Sequence, residues 1–545
     1  MESTTSGALA PDNADGPGPA VLPEPAIPPR AAGTPAWLAA LGWVLAGCVL
    51  FLCYLRVSRT VPVNSDGAAN ALQAWDMLHG NLLLHGWWLS DVSFYTTELP
   101  EYMLIEAVRG LGADAVHVGG ALTYTLLVVL TALLAKGKET GRAAVVRILI
   151  AGGIMLAPQV GNAVYNLVLE PDHTGSAVPV LLVLLLLDRA RQRWYVPVAV
   201  GLILTWALVA DKMVLITGVL PIIAVCVARA YRGIVGKRES SRSHWLDLSL
   251  AAAALLAVSL SDRVLALLSA AGGFTVWPSP NGLGSFAGVP SHLTSILQGV
   301  PLLYGASFFG HNAGFIAALL LLHLAGVVLA AWAVCVVLRR FWSGAGLVDQ
   351  LLAAAIVVNL VTYLFSTQAT DPHSAREFVA VLPLGAALAA RVLAQRLVAA
   401  RLVPLLVTVL AGYVLSLAHT MSVPAAPAQA QQVTTWLSQH NLHHGLSGYW
   451  NSSVVTLTSG DHVQVAPVAV YHHTLIRYEW ESDASWYDPA HTYANFVVMA
   501  APTTGGLPFP WPGAVENAFG PPARTYTVGR FTVLVWNKNL LTQLP

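Results

Sequence analysis

Asp66, in the segment Asn64-Ser65-Asp66-Gly67-Ala68, stands just beyond the first long apolar run, Trp37–Leu55. A carboxylate held at a membrane interface is expensive, which marks it for function. It could act as general base, taking the proton of an acceptor hydroxyl as that oxygen forms a new bond. It could also cap the helix-like run GAANALQAWDML that follows it. Glu98 and Glu101 flank Pro100 ahead of a second helix-like run. They suit acceptor positioning or oxygen ligation of a divalent metal, and as helix-start acids they also complement the helix dipole. In LEPDHTG, Glu170, Asp172 and His173 lie together with no Lys or Arg in their loop. They could contact a sugar or phosphate or hold a metal, although the spacing matches no zinc motif. A late segment, TQATDPHSAREF, carries Arg376 and Glu377 where a helix should begin. The forked arginine donor set suits the phosphate of a lipid headgroup or of a lipid-linked donor, and it equally suits a carboxylate pair. His373 could join either role.

Other polar residues have plainer readings. Asp211 and Lys212 interrupt an apolar stretch and are expected to pair with each other at the interface. Asp262 and Arg263 are the charges placed deepest in an apolar run, where a transporter would need them. In the C-terminal part, Tyr449, Trp450, Trp480, Trp486 and Tyr487 could stack on sugars or fill a core. His443, His444, His472 and His473 form two pairs without metal-ligand spacing. Asn451-Ser452-Ser453 matches a glycosylation acceptor, a pattern common by chance.

The elements that must position these groups follow from composition. The chain is 56% hydrophobic and 10% charged, with mean hydropathy +0.62. Soluble proteins are about 25% charged, so this is a polytopic membrane protein. The formal charge of +0 gives no basic surface for a nucleic acid. About eleven apolar segments are expected to span, near 36–55, 116–135, 143–161, 174–188, 195–210, 213–229, 246–270, 312–338, 347–366, 378–396 and 402–420. Seventeen Lys and Arg fall in one set of alternating loops and five in the other, before the C-terminal part. The positive-inside rule then puts the N-terminus in the cytoplasm and the C-terminal part outside the membrane. Long outer loops are expected at 56–115 and 271–311, the first with two surface helices near 68–80 and 100–112. Residues 1–35, rich in Pro, Gly and Ala, read as a disordered cytoplasmic tail. Residues 36–421 form the multi-pass domain, and 422–545 a small α/β extracytoplasmic domain. In that domain AQQVTTWLSQHNL reads as a helix. SVVTLTSGDHVQVAPV reads as two strands about Gly460–Asp461, ANFVVMAAP as a strand, and RTYTVGRFTVLVWN as a hairpin about Gly529. All four cysteines, Cys48, Cys53, Cys226 and Cys335, lie in apolar segments and supply no disulfide framework to the tail.

Taken together, these parts resemble the GT-C superfamily of multi-pass glycosyltransferases that use polyprenyl-phosphate sugars. Asp66 in NSDGA matches the acidic residue that the family carries soon after its first span. The helix-like runs of the first outer loop, the Glu170–His173 group and Arg376 before VLPLGAALAAR also fit the family pattern. GYWNSSVVTLTSG, SWYDP, FGPPARTY and VGRFTVLVWNKNLL resemble the outer domain of related bacterial, in particular actinobacterial, membrane proteins. The pattern departs in one place, where Ser-Asp-Gly stands in place of the paired acids of many members. The resemblance implies a GT-C-like fold and transfer of a hexosyl or pentosyl group from a polyprenyl-phosphate donor to a glycan, lipid or protein acceptor at the outer face of the cell membrane. It implies Asp66 as base and Arg376 on the donor phosphate, aided by His173. A transporter or flippase of lipid-linked substrates, or a non-catalytic envelope-assembly or glycan-binding protein, are the alternative readings.

Overall fold

A computed structural model describes residues 36–545 apart from 192, 237–240, 279–281, 309, 311, 371, 429 and 501–511; the side chains of 36, 236, 241–243, 372, 373 and 512 also lie outside the described residues. The expected tail at 1–35 therefore falls outside them. The chain divides into two compact units, Met1–Leu45 and Ala46–Pro545. Of the first, the structure describes an apolar helical stretch, the start of Ala36–Ser58.

All eleven expected apolar segments contain helix. Eight are long and apolar enough to cross a membrane by length and composition: Trp37–Ser58, Ala113–Lys136, Leu215–Val235, His244–Ala270, Phe315–Arg339, Leu347–Leu364, Val381–Ala399 and Val403–Ser422. The other three, Gly141–Ile154, Thr174–Arg189 and Tyr195–Ala210, have only 14, 16 and 16 residues. At 1.5 Å per residue these three are about 21–24 Å long. The expected multi-pass helical architecture is present, and eight of the eleven segments have the length and composition of a span among the described residues.

Among the described residues, nine strands form two sheets. They are β1 (Trp87–Leu89), β2 (Thr275–Val276), β3 (His444–Gly448), β4 (Gln464–Tyr471), β5 (Thr474–Arg477), β6 (Ser482–Asp483), β7 (Phe496–Ala500), β8 (Arg524–Val528) and β9 (Phe531–Val535). The larger sheet has the order β5-β4-β3-β7-β9-β8, and a small one has β2-β1-β6. The small sheet joins three distant pieces of chain: β1 from the first long loop, β2 from the second and β6 from the C-terminal part. One apolar core runs from Val63, Leu72 and Leu99 in the first loop through Val433, Val455 and Phe496 in the C-terminal part. The β8–β9 hairpin turns at Gly529 with positive φ, as the sequence predicts. The β4–β5 hairpin turns on His472 and His473, both with positive φ. Those two histidines are turn residues and do not form a ligand pair.

One local expectation fails. Tyr449–Thr458 is a helix, although its Val and Thr content and alternation read as a strand. The segment is buried on nearly every side between the large sheet and the helix Ser65–Leu78, so tertiary packing overrides propensity. Its hydroxyls bond back to the preceding turn: Ser452 to Tyr449 O at 2.9 Å, Thr456 to Ser452 O at 3.2 Å and Thr458 to Val454 O at 2.6 Å. Asn451 is also buried, which removes it as a glycosylation acceptor in this fold.

Close backbone contact places the Glu170–His173 turn. A Cβ on Gly120, in the helix Ala113–Lys136, would lie 2.3 Å from Val168 O and 2.6 Å from Leu169 O. Backbone atoms cannot swing aside as a side chain can. Gly120→Ala is therefore expected to lower the unfolding temperature of detergent-extracted protein by several degrees, in line with about 1–3 kcal/mol for overpacking. Gly152→Ala, where nothing lies within 4 Å, is the control that should stay within about one degree.

Candidate active site

Asn64, and not Asp66, caps the helix Ser65–Leu78. The Asn64 carboxamide oxygen accepts from Gly67 N at 2.9 Å. Asp66 sits in the first turn with its carboxylate free for other partners, where the positive end of the helix dipole favours an anion. Arg376 Nη1 lies 3.3 Å from Asp66 Oδ2, and Arg376 Nε lies 3.6 Å from Glu377. Tyr449 Oη lies 2.5 Å from Asp66 Oδ1 and also bonds Glu481. Ser65 Oγ donates to Tyr449 O at 2.6 Å, which locks the Tyr449 helix against the Ser65 helix.

These groups border a cavity of about 140 Å³. Asp66, Asp172, His173, Arg376 and Glu481 form its polar side, while Phe94, Tyr449, Trp450, Tyr478 and Trp480 supply aromatic walls. Tyr478 and Trp480 lie nearly parallel, with ring centres 6.5 Å apart, and Trp277 meets Trp480 edge-on. Trp486 and Tyr487 pack instead against Trp87 and Trp88, so they belong to the core.

His173 has a left-handed backbone, φ 54°, at the start of the helix Thr174–Arg189. Its Nδ1 faces Asp211 Oδ2 at 3.2 Å. Burial pulls the imidazole pKa down, but Glu377 and Asp211 push it up to about 10, which makes His173 a cation at neutral pH. The expected Asp211–Lys212 pair does not form. Asp211 is buried against His173, and Lys212 pairs with Asp262 at 2.5 Å, where both side chains are exposed. Asp262 is therefore not a charge buried in the bundle.

The remaining acids lie behind the cavity. Glu170 accepts from Asn64 Nδ2 at 2.9 Å, while its other oxygen is buried without a partner and faces Gly67. Burial, then Asp172 and Asp66, raise its pKa well above the usual range. Glu98 bonds Thr97 and turns an unpartnered oxygen toward Gly175; burial, Asp211 and Asp172 raise it likewise. Glu101 accepts from Thr123 Oγ1 at 2.7 Å. None of the three lines the cavity. Among the described residues no three of His, Cys, Asp and Glu converge as a metal site. The His373 side chain lies outside the described residues. Sequence reasoning missed Glu481 altogether and singled out Tyr449 only as one of five aromatic residues.

The buried acids give stability a pH dependence. Burial and the Asp66 charge push Asp172 up to about 7, and burial pushes Glu101 up to about 7. A folded state that holds these protons more tightly gains stability below about pH 4, where the unfolded chain is protonated as well, and loses it as pH rises through about 7. Unfolding temperature in detergent is expected to be higher near about pH 5.5 than near about pH 8. Asp172→Asn, which keeps the Asn70 contact, should flatten part of that slope.

The overall architecture is similar to that of ArnT. The crystal structure of ArnT from Cupriavidus metallidurans bound to undecaprenyl phosphate matches with a TM-score of 0.51 at 12% identity, covering 92% of this chain and 98% of that one. The apo form of the same protein gives a TM-score of 0.43 at 14% identity, covering 93% and 99%. No family model and no curated protein matches the chain. At this identity the likeness is one of fold, an ArnT-like architecture with a small C-terminal sheet domain.

Proposed function

We propose that this chain is a membrane glycosyltransferase that moves a hexosyl or pentosyl group from a polyprenyl-phosphate donor to a hydroxyl of a glycan, lipid or protein acceptor. The observation that carries this reading is the meeting of Asp66, Arg376 and His173 around one aromatic-walled cavity, in a fold shared with ArnT, a GT-C glycosyltransferase captured with undecaprenyl phosphate. Asp66 takes the acceptor proton. The acceptor oxygen attacks the anomeric carbon, and the bond from that carbon to the phosphate oxygen breaks. Polyprenyl phosphate leaves with the electron pair, and Arg376 and the cationic His173 stabilise its charge. The aromatic walls favour a carbohydrate ring.

The cavity of about 140 Å³ is smaller than the 300–1,000 Å³ of usual ligand pockets. Donor entry on this reading parts the Asp66–Arg376 pair, giving the guanidinium to phosphate and the carboxylate to the acceptor. The loop charges support an arrangement with the N-terminus in the cytoplasm, residues 422–545 as an extracytoplasmic domain and the site at the outer face. Membranes containing the chain should transfer label from a radiolabelled polyprenyl-phosphate sugar to endogenous acceptor. Label that crosses the bilayer with no new bond formed would overturn the reading in favour of transport.

A further inference from the structure

A phenol has one hydroxyl hydrogen, yet Tyr449 Oη bonds carboxyl oxygens of both Asp66 and Glu481. Two ionised carboxylates cannot both be served by that single proton. Asp66 has the guanidinium of Arg376 on its second oxygen, whereas among the described residues no cation is paired with Glu481. Among the described residues the other polar groups against Glu481 are Ser90, whose hydroxyl donates to Val92 O at 2.8 Å, and Asp172 and Tyr478, which supply no cation. Glu481 is buried and has φ 48°, a left-handed backbone unusual for a side-chain-bearing residue. It leads directly into β6, whose pairing with β1 holds it in place.

We infer that Glu481 is carried as a neutral acid that donates to Tyr449, so that Tyr449 donates its only proton to Asp66 and fixes Asp66 as the ionised, oriented member of the chain. Burial and the Asp66 charge raise Glu481 well above the usual carboxylate range, in keeping with this order. Tyr449 and Glu481 are positioning residues supplied by the C-terminal part. The inference rests on the base role proposed for Asp66 only for its catalytic meaning; the proton order stands on geometry.

Infrared difference spectroscopy of the full chain in detergent tests it with no substrate present. At neutral pH, wild type minus Glu481→Gln should show loss of a protonated carboxyl C=O band. Wild type minus Asp66→Asn should show loss of carboxylate bands. Those Asp66 carboxylate bands should shift in Tyr449→Phe and in Glu481→Leu but hold their position in Glu481→Gln, whose amide can still donate to Tyr449. Because the amide mimics the neutral acid, Glu481→Gln should also unfold within about 2 °C of wild type. An ionised carboxylate band in the Glu481 difference, or a large fall in unfolding temperature for Glu481→Gln, would overturn the proton order. Unshifted Asp66 bands in Tyr449→Phe would overturn the positioning. None of these readings needs transfer to be observed, so they fail or hold separately from the glycosyltransferase proposal.

Discussion

Asp66→Asn is expected to abolish transfer, lowering kcat by about 10²–10⁴-fold, the usual contribution of a positioned general base. The substitution keeps the shape of the side chain. Its oxygen can still accept from Tyr449, and Asn64 still caps the helix, so insertion, abundance and unfolding temperature should stay close to wild type. Arg376 loses one of its two carboxylate partners, keeping Glu377, and becomes more available to phosphate. The donor KM should therefore hold or fall while kcat collapses, a split that separates lost chemistry from lost binding. The measurement is initial-rate transfer from a labelled polyprenyl-phosphate sugar in membranes, normalised to the folded protein recovered. Transfer near the wild-type rate would remove Asp66 from the mechanism. A parallel collapse of kcat and unfolding temperature would make Asp66 a structural residue.

The legible part of this molecule follows from periodicity and composition. Apolar runs located the membrane helices because a span must be apolar along its whole length. The helices Ser65–Leu78 and Glu98–Arg109 were readable from their apolar spacing, although Ser65–Leu78 is buried along most of its length and does not lie open on a surface. The hairpin at Gly529 was readable because the turn needs a positive φ. Asp66, Asp172, His173 and Arg376 were all singled out by their types and loop positions, and the fold brings them to one cavity. Their partners were not legible. Tyr449 lies 383 positions from Asp66, and Arg376 lies 310 away. Contacts at such separation depend on how the loops stack, and local pattern carries no record of that. Asp211 reads as the partner of its neighbour Lys212, yet the turn after Tyr195–Ala210 aims the two side chains apart, one to His173 and one to Asp262. Glu481 stands in an acidic, aromatic-rich stretch with no periodic signal. Its place is set by the pairing of β6 with β1, a contact between segments far apart in the chain that only the folded molecule creates.

Arg376→Ala is expected to lower kcat/KM for the donor by about 10²–10³-fold, because two charge-assisted hydrogen bonds to one phosphate are worth roughly 3–5 kcal/mol together. Arg376→Lys should recover only part of this, since a point charge cannot reproduce the fork. The competing account is that Arg376 merely neutralises Asp66, which it faces at 3.3 Å. The two accounts differ in a binding readout that needs no sugar. Undecaprenyl phosphate should raise the unfolding temperature of the wild type and of Asp66→Asn, because the arginine remains in both. It should raise that of Arg376→Ala far less. If Arg376 served only Asp66, the lipid phosphate would stabilise Arg376→Ala as well as it does the wild type. The Asp66→Asn/Arg376→Ala double variant would then respond to the lipid as Asp66→Asn does, since on that account the arginine touches no phosphate. Phosphate recognition predicts that the double variant responds as weakly as Arg376→Ala, because the missing fork faces the donor and no change at Asp66 restores it.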